Sequence, residues 1–121
     1  MSGVDLSTRD GDGHVVVVLR GELDMAAASG VAAALAAAAA REPRVIVDLA
    51  GLRFIDAGGV AALVRGRRQV RHAGGDLLLA APRRQVLRVL TVTRLTGVFP
   101  VHASVEEAAR SSRRPVLAAV T

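Results

Sequence analysis

Short runs of β-branched and aliphatic residues alternate along this chain with longer stretches whose apolar positions recur every three to four residues. Val4–Thr8 alternates weakly and predicts a short edge strand. Asp10-Gly11-Asp12-Gly13 is a turn sequence, and valine-rich His14–Arg20 predicts the strand that pairs back as a hairpin. Asp24 suits the N-cap of a helix over Met25–Ala40, which Arg41-Glu42-Pro43 ends. Val45–Asp48 predicts a strand, followed by a short loop. Asp56 then caps a second helix over Ala57–Ala73, stopped by Gly74-Gly75.

The unbroken apolar run in Asp76–Ala81 predicts a strand buried on both faces. Pro82 opens a third helix to about Leu95, and Gly97 ends it. Val98–Val101 predicts a short last strand. Ser104-Val105-Glu106-Glu107 matches a capping box and starts a final helix to about Arg113, broken by Pro115. The apolar tail Pro115–Thr121 either docks on the domain or stays loose. The order is β-β-α-β-α-β-α-β-α. Beyond the hairpin, strict alternation favours parallel pairing through helical crossovers.

Composition narrows this α/β picture. The 121 residues suffice for one domain with its own core. Hydrophobic residues make up 51% of the chain but aromatics only 2%, so the core is aliphatic. There is no cysteine, which excludes disulfides and thiolate chemistry. His14, His72 and His102 lie far apart with no ligand spacing, and no metal or cofactor is expected. Met25–Ala40 is shorter than the ~20 apolar residues that span a bilayer. The N-terminus shows no basic-then-apolar leader, so the expected compartment is the cytoplasm.

The net charge of +5 comes from arginine. It is either a solvated surface or a match for an acidic partner, nucleic acid or anionic lipid. No aromatic residue is interleaved with the arginines, so direct nucleic-acid binding is not expected. Asp24, Asp48 and Asp56 all fall where caps and strand ends need them, and no base–nucleophile pair emerges. No enzyme is expected.

Three segments, in order, carry a family resemblance. They are Gly21-Glu22-Leu23-Asp24; Val47-Asp48-Leu49 with Phe54-Ile55-Asp56 and Gly59-Val60; and Leu95-Thr96-Gly97-Val98-Phe99 with Ser104-Val105-Glu106-Glu107-Ala108. From about Val4 to Arg113 the chain resembles the STAS domain, specifically the bacterial anti-sigma factor antagonists. The resemblance implies a single domain over 1–113 with a mixed β-sheet packed by about four helices, and a tail over 114–121. It also implies a non-catalytic protein-binding module. In such systems the unphosphorylated antagonist binds an anti-sigma factor of the ATPase/kinase type and releases the sigma factor. The kinase later phosphorylates the serine after the aspartate, and binding is lost. An alternative within the family is a STAS subunit of a larger assembly, such as a signalling scaffold or a lipid-transport ATPase complex.

Carried onto this chain, Asp56 matches the family aspartate, Ala57 the phosphoacceptor, Gly58 the second serine and Gly59 the glycine. Alanine has no hydroxyl to phosphorylate, and no Ser, Thr or Tyr lies between Ser29 and Thr91. The expected partner-binding residues are Asp24, Phe54, Asp56, Ala57, Gly58, Gly59, Ala61 and Arg65. Asp56 serves as a cap, as a carboxylate shown to the partner, or both. Gly58-Gly59 lets another backbone come close or forms an anion nest. Val60, Leu63, Val64 and Val70 form the apolar stripe of this helix, and Arg65, Arg68 and Arg71 its outer face. The expected oligomeric state is a monomer or weak homodimer.

Overall fold

Each strand of the sheet lies beside the strand that precedes it in the chain. The computed structural model describes residues 3–112. β1 (Val4–Asp10) pairs antiparallel with β2 (Val15–Leu23). A 3-10 turn (Met25–Ala27) and α1 (Ala28–Arg41) lead to β3 (Arg44–Ile55), parallel to β2. Then come α2 (Ala57–His72), β4 (Asp76–Ala80) and α3 (Arg84–Val92). A second 3-10 turn (Leu95–Gly97), β5 (Val101–His102) and α4 (Val105–Ser112) follow. The mixed five-stranded sheet and four helices of these residues match the α/β expectation.

Stepwise strand order determines the layers. Successive crossovers that advance in one direction with one hand place their helices on one face. Accordingly Leu35 of α1, Leu63 of α2 and Leu90 of α3 share a core with Val15, Val17 and Leu79. The opposite face has a smaller core, where Ala108 of α4 covers Val16, Ile46 and Leu78. Except for half-buried Val18, valine and leucine on both faces of β2, β3 and β4 are buried, as expected of covered parallel strands.

Several sequence expectations are corrected. The strand expected over Val45–Asp48 continues to Ile55, because its second half pairs with Arg20–Leu23 beyond a register irregularity. Gly51 reads as loop in the sequence. In the sheet, a Cβ there would sit 2.7 Å from Cγ of Arg20, so the glycine makes room for that side chain. The helix expected from Met25 begins with a 3-10 turn and becomes α-helical at Ala28.

The third helix starts at Arg84 rather than Pro82, and stops at Val92 because Arg94 adopts a left-handed conformation (φ 64). The last strand is Val101–His102 rather than Val98–Val101. Phe99 turns into the core and Pro100 follows it. The Ser104 hydroxyl accepts from Glu107 N–H (3.0 Å) as the capping box requires, but the Glu107 carboxylate reaches Ala103 N–H (3.4 Å) instead of Ser104. The tail over 114–121 and its boundary at 113 lie outside the described residues.

Candidate partner-binding site

The N-terminus of α2 is built from two chain segments that each bring an aspartate. Asp24, after β2, accepts from Ala27 N–H (3.1 Å) and caps the 3-10 turn. Asp56, after β3, accepts from Gly59 N–H with Oδ1 (2.9 Å) and from Met25 N–H with Oδ2 (3.3 Å). Its own backbone N–H donates to the Leu23 carbonyl (3.2 Å). The two helix entries are thereby joined, and one of the orphan amides of the first turn of α2, that of Gly59, finds a partner in Asp56. An external anion would have to displace this carboxylate from Gly59.

Gly58-Gly59 does permit a close backbone approach, and the approaching backbone is the chain's own. A Cβ on Gly58 would stand 2.6 Å from Cα of Met25, and one on Gly59 would strike the Leu23 carbonyl. Gly58 is half-buried and Gly59 buried.

The expected site residues therefore divide. Ala57, Ala61 and Arg65 are exposed and, recurring every four residues, line one face of α2. Phe54 is 49% exposed just before the helix. Asp24 and Asp56 are half-buried, with side-chain oxygens engaged in the caps.

Met25 is the residue that sequence reasoning missed. It reads there as the first residue of a helix, yet it projects from the 3-10 turn at 75% exposure, directly over Gly58. Met25, Ala57 and Ala61 are exposed apolar residues at this end of the domain, and Phe54 is exposed near the end of β3. Arg65, Arg68 and Arg71 continue along α2, all exposed, and Arg71 stands 3.5 Å from Asp76. The expected stripe is a little different: Ala62, Leu63, Gly66 and Val70 are buried, while Val60 and Val64 are half-buried. Arg67 turns inward and lies over the Phe99 ring, 6.0 Å from its centroid.

Among the described residues, no group of three His, Cys, Asp or Glu could hold a metal ion. No helix among them is long and apolar enough to cross a membrane.

The STAS domain family profile matches residues 5–108. The chain belongs to the STAS domain family. Among STAS relatives, the anti-sigma-F factor antagonist RsfA of Mycobacterium tuberculosis is 35% identical over 101 residues, covering 80% of this chain and 78% of that one. A crystal structure of an anti-sigma factor antagonist from Mycobacterium paratuberculosis superposes with a TM-score of 0.83 at 24% identity, over 94% of this STAS chain and all (100%) of the other. The unphosphorylated form of the anti-sigma factor antagonist SpoIIAA, a Bacillus cell-fate determinant, gives 0.76 at 26% identity, over 90% of this chain and 96% of that one. SpoIIAA also has a solved phosphorylated form. This STAS domain is thus similar in sequence and fold to anti-sigma factor antagonists.

Proposed function

We propose that this STAS domain is an anti-sigma factor antagonist that binds its partner through the α2 N-terminus and is not switched by phosphorylation at residue 57. The observation that carries the reading is Ala57 itself. It follows the capping Asp56, is exposed on the first turn of α2, and has no hydroxyl to accept a phosphoryl group. The partner class follows from the antagonists it resembles, RsfA above all. An anti-sigma factor of the ATPase/kinase type is the proposed partner, in the cytoplasm.

The surface suits a protein partner. Met25, Ala57 and Ala61 supply apolar surface at the start of α2, and Arg65 and Arg68 basic surface beyond it, as a protein interface with an apolar centre and polar rim requires. α2 carries no acidic residue, so its outer face favours an acidic partner surface and speeds encounter with it. The domain acts by binding rather than turnover: Asp24, Asp48 and Asp56 each accept from backbone N–H groups.

The test is incubation with ATP and the cognate anti-sigma factor, read by intact mass and peptide mapping. The wild type should bind and gain no phosphate within residues 50–65, and Ala57→Ser should gain one. Stoichiometric phosphorylation of that wild-type segment would overturn the reading, as would failure of every ATPase-type anti-sigma factor of the source organism to bind.

A further inference from the structure

β1 is an outer strand of the sheet among the described residues, and its free edge is self-complementary. The hairpin bonds establish which backbone groups are free. Glu22 N–H donates to the Gly3 carbonyl (2.9 Å) and Gly11 N–H to the His14 carbonyl (2.8 Å). Antiparallel alternation then turns the N–H and C=O groups of the odd residues toward β2 and those of Val4, Leu6, Thr8 and Asp10 away from the sheet. Such a row of unpaired groups is a template for another strand.

The side chains specify which strand. Asp5, Ser7 and Arg9 share one face and are exposed, and α4 packs on β3, β4 and β5 rather than over them. Neither Asp5 nor Arg9 is in an ion pair among the described residues. Now place a second β1 antiparallel against the first with full overlap of Val4–Asp10. Val4 falls opposite Asp10 of the second copy, Leu6 opposite Thr8, and Ser7 opposite itself on a twofold axis. The outward-pointing backbone groups then face each other, as an antiparallel ladder requires.

In this register Asp5 of each copy stands opposite Arg9 of the other, twice over. A slip of two residues leaves both charges without a partner. A slip of four sets Asp5 against Asp5 or Arg9 against Arg9, which is repulsive. On the other face the two Leu6 side chains lie diagonally across the axis. They flank a shallow apolar groove formed by Val4, Leu6, Ala27, Gly30 and Val31.

We propose that this domain forms a twofold homodimer by antiparallel pairing of β1 with β1, with Asp5–Arg9 pairs selecting the register. The occupant of the edge is a second copy of this chain, and the interface is isologous. The charges that would otherwise protect an edge from pairing here reject the other registers and accept one. The proposal is independent of the anti-sigma reading, because none of the residues invoked there lies on β1.

Sedimentation of the wild type across concentration, at low and high salt, is the first measurement. It should show a monomer–dimer equilibrium that weakens with salt. Arg9→Asp and Asp5→Arg should each weaken the dimer by about tenfold or more, since each sets like charges opposite one another. Mixed in equal amounts, the two variants should regain a dimer, because each then faces its complement. Thr8→Pro removes an outward N–H without touching the hairpin ladder, and should leave a folded monomer by circular dichroism. A wild type that stays monomeric into the millimolar range overturns the proposal. So does a dimer that Thr8→Pro leaves intact, or single variants whose mixture does not recover association.

Discussion

Asp56 and Met25 are 31 residues apart in the chain, and the carboxylate of one accepts from the backbone N–H of the other at 3.3 Å. That contact, with the Asp56 bond to Gly59 N–H, makes one aspartate both the cap of α2 and the anchor of the preceding 3-10 turn. Asp56→Ala should cost about 1–2 kcal/mol of stability, the upper range for losing a cap. Asp56→Asn retains an oxygen for Gly59 and should cost less than about 1 kcal/mol. Urea midpoints of the two variants are the check. Equal losses would show that capping is not what Asp56 contributes.

Gly58 and Gly59 oppose the usual helix preference. Exposed glycine-to-alanine changes in helices gain about 1 kcal/mol. Here the new methyl meets Met25 or Leu23, so Gly58→Ala and Gly59→Ala should instead lose about 1–3 kcal/mol through overpacking. Thermal unfolding decides between these signs, and a stabilised Gly59→Ala would contradict the close approach.

Ala57 next to them is free to change. Ala57→Ser should alter stability by no more than about 0.5 kcal/mol. Ala57→Asp adds an anion where the helix dipole favours one by about 0.3–1 kcal/mol, so the fold should survive. In a complex made through this surface the same charge would be desolvated and unpaired, at a cost of ~2–5 kcal/mol, roughly 30-fold or more in affinity. Calorimetry against the anti-sigma factor should show normal melting with sharply weaker binding. Undiminished binding would place the interface elsewhere.

Arg67 and Phe99 give a contrast within the core. Phe99 is 1% exposed, and Phe99→Ala should cost about 3–5 kcal/mol. The Arg67 Nε is buried without a hydrogen-bond partner among the described residues. Arg67→Met keeps the stem over the ring and removes the unsatisfied group, so stability should hold or rise. Equilibrium denaturation of the two variants tests both, and a large loss for Arg67→Met would mean the cation–ring contact outweighs the buried Nε.

Much of this architecture could be read from the chain because its signals are local. The valine run of β2 and the leucines of β4 are local patterns, and the capping bonds of Asp24 and Asp56 each reach an N–H three residues on. What escaped the sequence depends on distant neighbours. Ala50-Gly51 reads as a loop until Arg20 is seen lying across it. The brevity of β5 follows from Phe99 entering the core, which no pattern in Val98–Val101 foretells. Within the site, Ala57, Ala61 and Arg65 fall on one helical face as their spacing says. The inward use of Gly58-Gly59 and the exposure of Met25 arise from the packing of one helix entry on another.

The agreement between strand order and chain order also bears on how the molecule is made. A nascent chain can add each strand to one already in place, so no gap in the sheet waits for a segment synthesised later. The three crossover helices cover the larger core in step with this growth. The smaller core differs: Val16, Ile46 and Leu78 stay bare until α4, the last of the described helices, emerges and sets Ala108 over them. A chain stalled after β5 would therefore expose a finished sheet with one sticky face, a form suited to chaperone capture and proteolysis, and α4 is the latch that ends that exposure.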